Sequence, residues 1–182
     1  PANISEIKKI ADDWGLQIIE DAAEALGSRH FIDGGFIHCG LSGDLGVISF
    51  NGNKIITTGG GGMLITNNYK LAEKCRHLST TAKINHPWEF NHTETGWNDR
   101  MPNLNAALGV SQLETINEKL RMKNDLYQKY EQNISEIEGV ELIKKDTKNI
   151  NNNWLINIRF TNKNKADAFF IREKLLQKAH SQ

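Results

Sequence analysis

ISEIKKIADDWGLQIIED, residues 4–21, is the stretch from which the fold can be read. Ile4, Ile7, Ile10, Ala11 and Trp14 recur at helical spacing and fall on one face. Asn3 in front of them can cap a helix, with Glu6 as its capping-box partner, and Gly15 supplies the stop. Leu16–Glu20 then follows at once as a short strand of the buried type. A helix, a tight glycine turn and an apolar strand make half of a βαβ unit. Asp21 is thereby placed just past the carboxyl end of a parallel strand, where open α/β sheets put the groups that meet a ligand.

Downstream, residues 27–43 are rich in glycine and read as loop. Leu45–Phe50 and Met63–Thr66 read as strands on either side of a polar, glycine-rich connection, and Tyr69–Leu78 reads as a helix. Residues 80–100 form a long loop, a feature that is more often functional than idle. Pro102 and Asn103 open a helix that runs to about Leu120, and a second helical pattern runs from Arg121 to Ile137. Val140–Ile143, Trp154–Phe160 and a helix over Ala166–Ala179, with a polar turn at Asn149–Asn153, read as the start of an α+β domain. The expected division is therefore a large α/β domain over residues 1–119 and a linker helix with a smaller domain over 120–182. The chain opens at a helix start and stops directly after another helix, so it is expected to be a piece of a longer protein.

Composition narrows the function. The 182 residues carry 22 Lys+Arg against 22 Asp+Glu, and this balance leaves no excess positive field to attract nucleic acid or an acidic membrane. No apolar run approaches the roughly 20 residues that span a bilayer. Cys39 and Cys75 are too few and too far apart for a disulfide framework or a zinc ribbon, so a reducing, cytoplasmic setting is expected. His38, His86 and His92 have no metal-ligand spacing. Gly59–Gly62 is no phosphate-cradling P-loop, because the lysine precedes the glycines, and no G-x-G-x-x-G joins a strand to a helix. Gly40-Leu41-Ser42-Gly43 is followed by Asp44 where a nucleophile elbow needs glycine.

What remains is an acid at one strand end, Asp21, and a lysine, Lys54, four residues past another at Phe50. A lysine that bonds covalently to a carbonyl must be held at a fixed point and be able to lose its proton. An aspartate facing a pyridine nitrogen keeps that nitrogen protonated and makes the ring an electron sink. Lysine plus aspartate is the pattern expected of a pyridoxal phosphate enzyme. The competing reading of Asp21 is a cap for the residues from Ala22 onward, and that of Ser49 is a hydroxyl bonded to backbone.

The blocks Ile19–Ser28, Gly43-Asp44, Ser49-Phe50-x-x-x-Lys54 with Gly59–Gly62, and Gly96–Gly109 resemble the DegT/DnrJ/EryC1/StrS family. These are nucleotide-sugar aminotransferases dependent on pyridoxal phosphate, of the α/β architecture known as fold type I. The resemblance implies that Lys54 carries the cofactor and shuttles the proton, and that Asp21 pairs with the pyridinium nitrogen. It implies that Ser49 binds the cofactor phosphate. Asn98 matches an asparagine that reaches the phosphate of the neighbouring subunit, which implies a homodimer with shared sites. Glu24 falls near the ring's phenolic oxygen, where a carboxylate needs a shared proton. The implied substrates are a nucleotide-linked keto sugar and an amino acid donor, by family analogy glutamate, with no metal. The wording of Pro87–Phe90 and Arg100–Asn105 is similar to members of legionaminic acid or perosamine pathways. Two alternatives stay open: a sugar 3-dehydratase of the same family, whose members carry histidine where this chain has Lys54, and a non-catalytic dimerising scaffold. His86, Trp88 and His92 could line a sugar pocket or only pack their own loop.

Overall fold

A computed structural model describes residues 1–144, 146–161 and 165–180. Helix α1, Ile4–Trp14, ends on Gly15 in the left-handed conformation (φ 61°), and the amide of Leu16 bonds back to the Ala11 carbonyl at 2.8 Å. The start of α1 differs from expectation. Asn3 has φ −76° and ψ 75° and its side chain makes no cap bond. That conformation is not the extended one from which a cap side chain reaches the first turn.

The strand that follows is shorter than its apolar run. Leu16 is used in capping α1, and the Ile18 amide donates to the Asp44 carboxylate at 2.8 Å, so strand β1 comprises only Ile19–Asp21. Asp21 is its last residue. Residues 29–32 and 35–38 form a hairpin, β2 and β3, where only loop was expected. Asp33 (φ 50°) and Gly34 (φ 81°) make its two-residue turn, and Phe31 meets Phe36 edge to face at 5.2 Å. Strand β4, Leu45–Ser49, runs parallel to β1, with Asp21 beside Val47. Strand β5, Gly62–Ile65, is antiparallel to β4, which gives the sheet order β1-β4-β5. Gly46 has to be glycine, because a Cβ there would lie 2.1 Å from the Gly40 carbonyl oxygen.

Helix α2, Tyr69–Leu78, matches its expected span, and Asn68 caps it by accepting from the amides of Lys70 and Leu71. The long helical region divides earlier than expected. Helix α3 is Asn103–Glu114 and helix α4 is Ile116–Ile134, separated at Thr115, whose φ of −107° and ψ of 11° interrupt the helical path. Strands β6, Val140–Leu142, and β7, Ile158–Phe160, pair antiparallel before helix α5, Lys165–His180. Trp154 was expected at the head of the β7 strand but lies outside it. The core gathers Ile48, Phe50, Ile55 and Ile56 with Ala22 and Cys39, and Leu26, Leu120 and Trp154 pack onto it.

Glu20 fixes the floor under Asp21. Its carboxylate accepts the amides of Gly40 (2.9 Å), Ser42 (2.6 Å) and Gly43 (2.7 Å) and lies 3.6 Å from His30 Nε2. Burial holds the His30 imidazole below its ordinary pKa, against the pull of Glu20 in the other direction. Removing the carboxylate leaves several amide donors without an acceptor, each costing about 1–3 kcal/mol. Glu20→Ala should therefore lower stability by about 3 kcal/mol or more, with Glu20→Gln losing less, as read from urea denaturation at neutral pH. A loss of a few tenths would mean that water replaces the acceptor.

Candidate active site

The connection between β4 and β5 is polar and glycine-rich, yet it is fixed at many points. The Lys54 amide bonds to the Asn51 carbonyl at 3.1 Å, the Thr58 amide to the Phe50 carbonyl at 3.0 Å, and the Phe50 amide to Gly61 at 3.0 Å. Helix α3 clamps the far side. Gln112 exchanges two bonds with the Thr57 backbone (2.9 and 3.1 Å), and Asn105 donates to the Thr58 carbonyl at 2.5 Å. Gly109 lets the helix approach: a Cβ there would stand 2.8 Å from the Thr58 methyl. A segment that composition marks as flexible thus becomes a rigid mount for Lys54.

The Lys54 side chain is only 11% exposed, and its ammonium forms an ion pair with Glu24, a residue half open to solvent. The ammonium also lies 4.1 Å from the centre of the Trp154 ring. Asp21 stands at the carboxyl end of β1 and accepts from the Ala23 amide at 3.1 Å. No helix follows it, so the expected alternative of a helix cap reduces to a two-residue side-chain turn through one oxygen. Asp21, Glu24, Asn153 and Trp154 share the lining of a cavity of about 510 Å³ with Ile4 and Ile7 of α1. Cys39 lies at the same cavity with its thiol pushed by burial up to about 11, and it is neutral at pH 7. Three carboxylate side chains, Glu20, Asp21 and Glu24, line the cavity.

Ser49, the last residue of β4, accepts from the Asn51 amide at 3.2 Å through its hydroxyl oxygen, and its hydroxyl proton stays available to another acceptor. Asn98 stands apart. It is exposed and bridged to Thr80 behind α2, and no contact among the described residues links it to Lys54. His86 and His92 hold their own loop: His86 Nδ1 accepts from the Glu89 amide at 3.0 Å, and His92 Nδ1 lies 2.6 Å from the Thr81 carbonyl. Trp88 is 80% exposed. The described residues contain no cluster of side chains fit to hold a metal ion.

Sequence reasoning missed Asn152 and Trp154. Asn152 Nδ2 donates to the carbonyls of Glu24 (2.6 Å) and Leu26 (2.9 Å), and Trp154 Nε1 donates to the Asn53 carbonyl at 2.6 Å. The segment expected as a polar turn is instead buried against the site, with Asn152 and Asn153 each 7% exposed.

The profile of the DegT/DnrJ/EryC1/StrS aminotransferase family matches residues 1–181, and the chain belongs to that family. Its fold is that of the fold type I transferases dependent on pyridoxal phosphate. Among relatives, it is 35% identical over 161 residues to EpsN of Bacillus subtilis (strain 168), provisionally named a pyridoxal phosphate-dependent aminotransferase; the match covers 88% of this chain and 40% of EpsN. It is 35% identical over 158 residues to the GDP-perosamine synthase of Escherichia coli O157:H7, covering 87% of this chain and 42% of that one. Among solved structures, the aminotransferase TlmJ from Streptoalloteichus hindustanus superposes with a TM-score of 0.80 at 29% identity, over 88% of this chain and 43% of TlmJ. The chain spans about two fifths of the length of the curated relatives it matches.

The cofactor of this family is pyridoxal phosphate. The side chains seen here fit it: an amine shielded from water beside a carboxylate, and a second carboxylate at a strand end with one oxygen committed to a local turn.

Proposed function

We propose that these residues supply the Lys54 and Asp21 portion of a nucleotide-sugar aminotransferase, the activity belonging to the whole protein. The observation that carries this reading is the pairing of Lys54 with Glu24, which lines one cavity with Asp21 of the parallel strand β1, in a chain of this family. Bound pyridoxal phosphate supplies an aldehyde that captures amines and a pyridine ring that accepts electrons. Lys54 would hold the cofactor through Nζ and would move a proton to and from the substrate carbon. Asp21 would face the ring nitrogen and keep it protonated. Glu24 balances the Lys54 ammonium, and beside the ring's phenolic oxygen it would share a proton with it. Ser49 would donate its hydroxyl to the cofactor phosphate.

The amino donor in this reading is glutamate, and the acceptor is a keto sugar carried on a nucleotide. Relatives named GDP-perosamine synthase and dTDP-4-amino-4,6-dideoxy-D-glucose transaminase support an amino-sugar product. The protein acts as a homodimer in which Asn98 reaches the cofactor phosphate of the neighbouring protomer. Its solvent exposure and its distance from Lys54 in sequence suit that role. An apolar surface on α3, with Leu104 83% exposed, suits a protein–protein contact. Residues 1–119 belong to the large domain and 120–182 to the linker helix and small domain. No helix of the described residues is long and apolar enough to cross a membrane, and the cytoplasm is the proposed setting.

Incubating the whole protein with glutamate and a 4-keto nucleotide sugar should yield 2-oxoglutarate and the amino sugar in equal amounts by mass spectrometry. Loss of the sugar's C3 hydroxyl without gain of nitrogen would make it a dehydratase. Unchanged sugar across a panel of keto nucleotide sugars, with cofactor bound, would favour the scaffold.

A further inference from the structure

The segment that follows β6 returns across the molecule to Lys54. Arg29 and Ile150 exchange a pair of backbone bonds at 2.9 Å, and Asn149 accepts from the Phe31 amide at 2.9 Å. The Asn152 amide donates to Ser28 Oγ at 3.1 Å, while its side chain takes the two carbonyls of the turn that holds Glu24. Asn152 Oδ1 then accepts from the Trp154 amide at 3.0 Å, and Lys123 of α4 caps the Trp154 carbonyl at 3.2 Å. At the end of this strap the indole is pinned by its N–H to Asn53, the residue before Lys54, and presents its ring face to the ammonium. Packing alone does not account for the local cost. Asn153 has a left-handed backbone (φ 52°), and its side-chain nitrogen is buried with no hydrogen-bond partner among the described residues. Strain of this kind concentrates at functional sites.

We infer that Trp154 is a positioning residue for Lys54: its ring face and the Glu24 carboxylate, both of which line the cavity, together fix the amine. The inference rests on the proposed role of Lys54, and it extends the site into the segment after β6. An aromatic face within about 6 Å attracts an ammonium, and the attraction grows where water is shut out. With only 11% of the side chain exposed, Lys54 meets that condition. The indole N–H fixes the ring's place, and the ring face fixes the amine.

The test compares Trp154→Leu and Trp154→Phe with wild type in the whole protein. In protein stripped of cofactor, each lysine is labelled with a trace of acetic anhydride and its rate is read by mass spectrometry, with the other lysines as internal reference. Lys54 should react about threefold or more faster in the Leu variant and at a lesser excess in the Phe variant, which keeps an aromatic face. In loaded enzyme, kcat should fall about tenfold in the Leu variant with the glutamate KM within about twofold, and Phe should restore most of it. If Leu melts below the assay temperature, Phe and His, both smaller rings, carry the test by the same ordering. Wild-type Lys54 labelling in the folded variants, or equal loss in all of them, overturns the inference. The labelling does not depend on any reaction with sugars, so a response there without amino transfer would fault the proposed function and leave the positioning intact.

Discussion

Replacing Lys54 with arginine is expected to abolish amino transfer while leaving the fold in place. Arginine keeps the positive charge, the pairing with Glu24 and the contact with Trp154, so the neighbourhood loses little. It cannot lose a proton at working pH, and it can neither bond to an aldehyde nor carry a proton between carbon centres. The proton-transfer role alone accounts for about 10²–10⁴-fold in rate, so turnover should fall by at least about 10⁴-fold with the covalent role also lost. Lys54→Ala should be equally inactive, and a small primary amine in the buffer should return part of the proton-transfer activity. Measurable turnover in Lys54→Arg, with the melting temperature unchanged, would move the chemistry to another lysine.

Asp21→Asn should produce the next largest effect, again without unfolding. The asparagine oxygen can still accept from the Ala23 amide, so the turn after β1 persists. What is lost is the negative charge, and with it the means of keeping a ring nitrogen protonated. A loss of roughly 10²–10³-fold in kcat is expected, the size seen when one oriented electrostatic partner is taken from a site. The glutamate KM should move far less. Turnover within a few-fold of wild type would reduce Asp21 to a residue that shapes the turn.

The order of the large-domain elements was legible in the sequence where periodicity and punctuation agree. Ile4 to Trp14 with Gly15 gave α1, and the apolar runs gave β1, expected as a parallel strand, and β4, whose pairing with β1 only the structure shows. Lys54 and Asp21 stood out because each comes just after an apolar run in the sequence, although β1 itself is largely exposed, with Ile19 71% exposed. The hairpin at 29–38 carried its own signal in Asp33-Gly34, but the surrounding glycines masked two strands of four residues each. The break at Thr115 follows no proline or glycine, and so leaves no mark in the sequence. The strap from Asn149 to Trp154 was the largest omission. Three asparagines in a row read as solvated turn, whereas here the Asn152 side-chain amide meets backbone carbonyls more than a hundred residues away. Local composition says nothing about partners at that separation. Trp154 followed suit, read as the head of a strand when it is the ring beside Lys54.

The central claim is that Lys54 is the amine that carries the cofactor. The direct measurement is reduction of the cofactor-loaded protein with borohydride, followed by digestion and mass spectrometry of the labelled peptide. A pyridoxyl group on Lys54, absent when glutamate is added before the reductant, is the predicted result. A label on a different lysine, or no stable label although the cofactor is bound, would contradict the account.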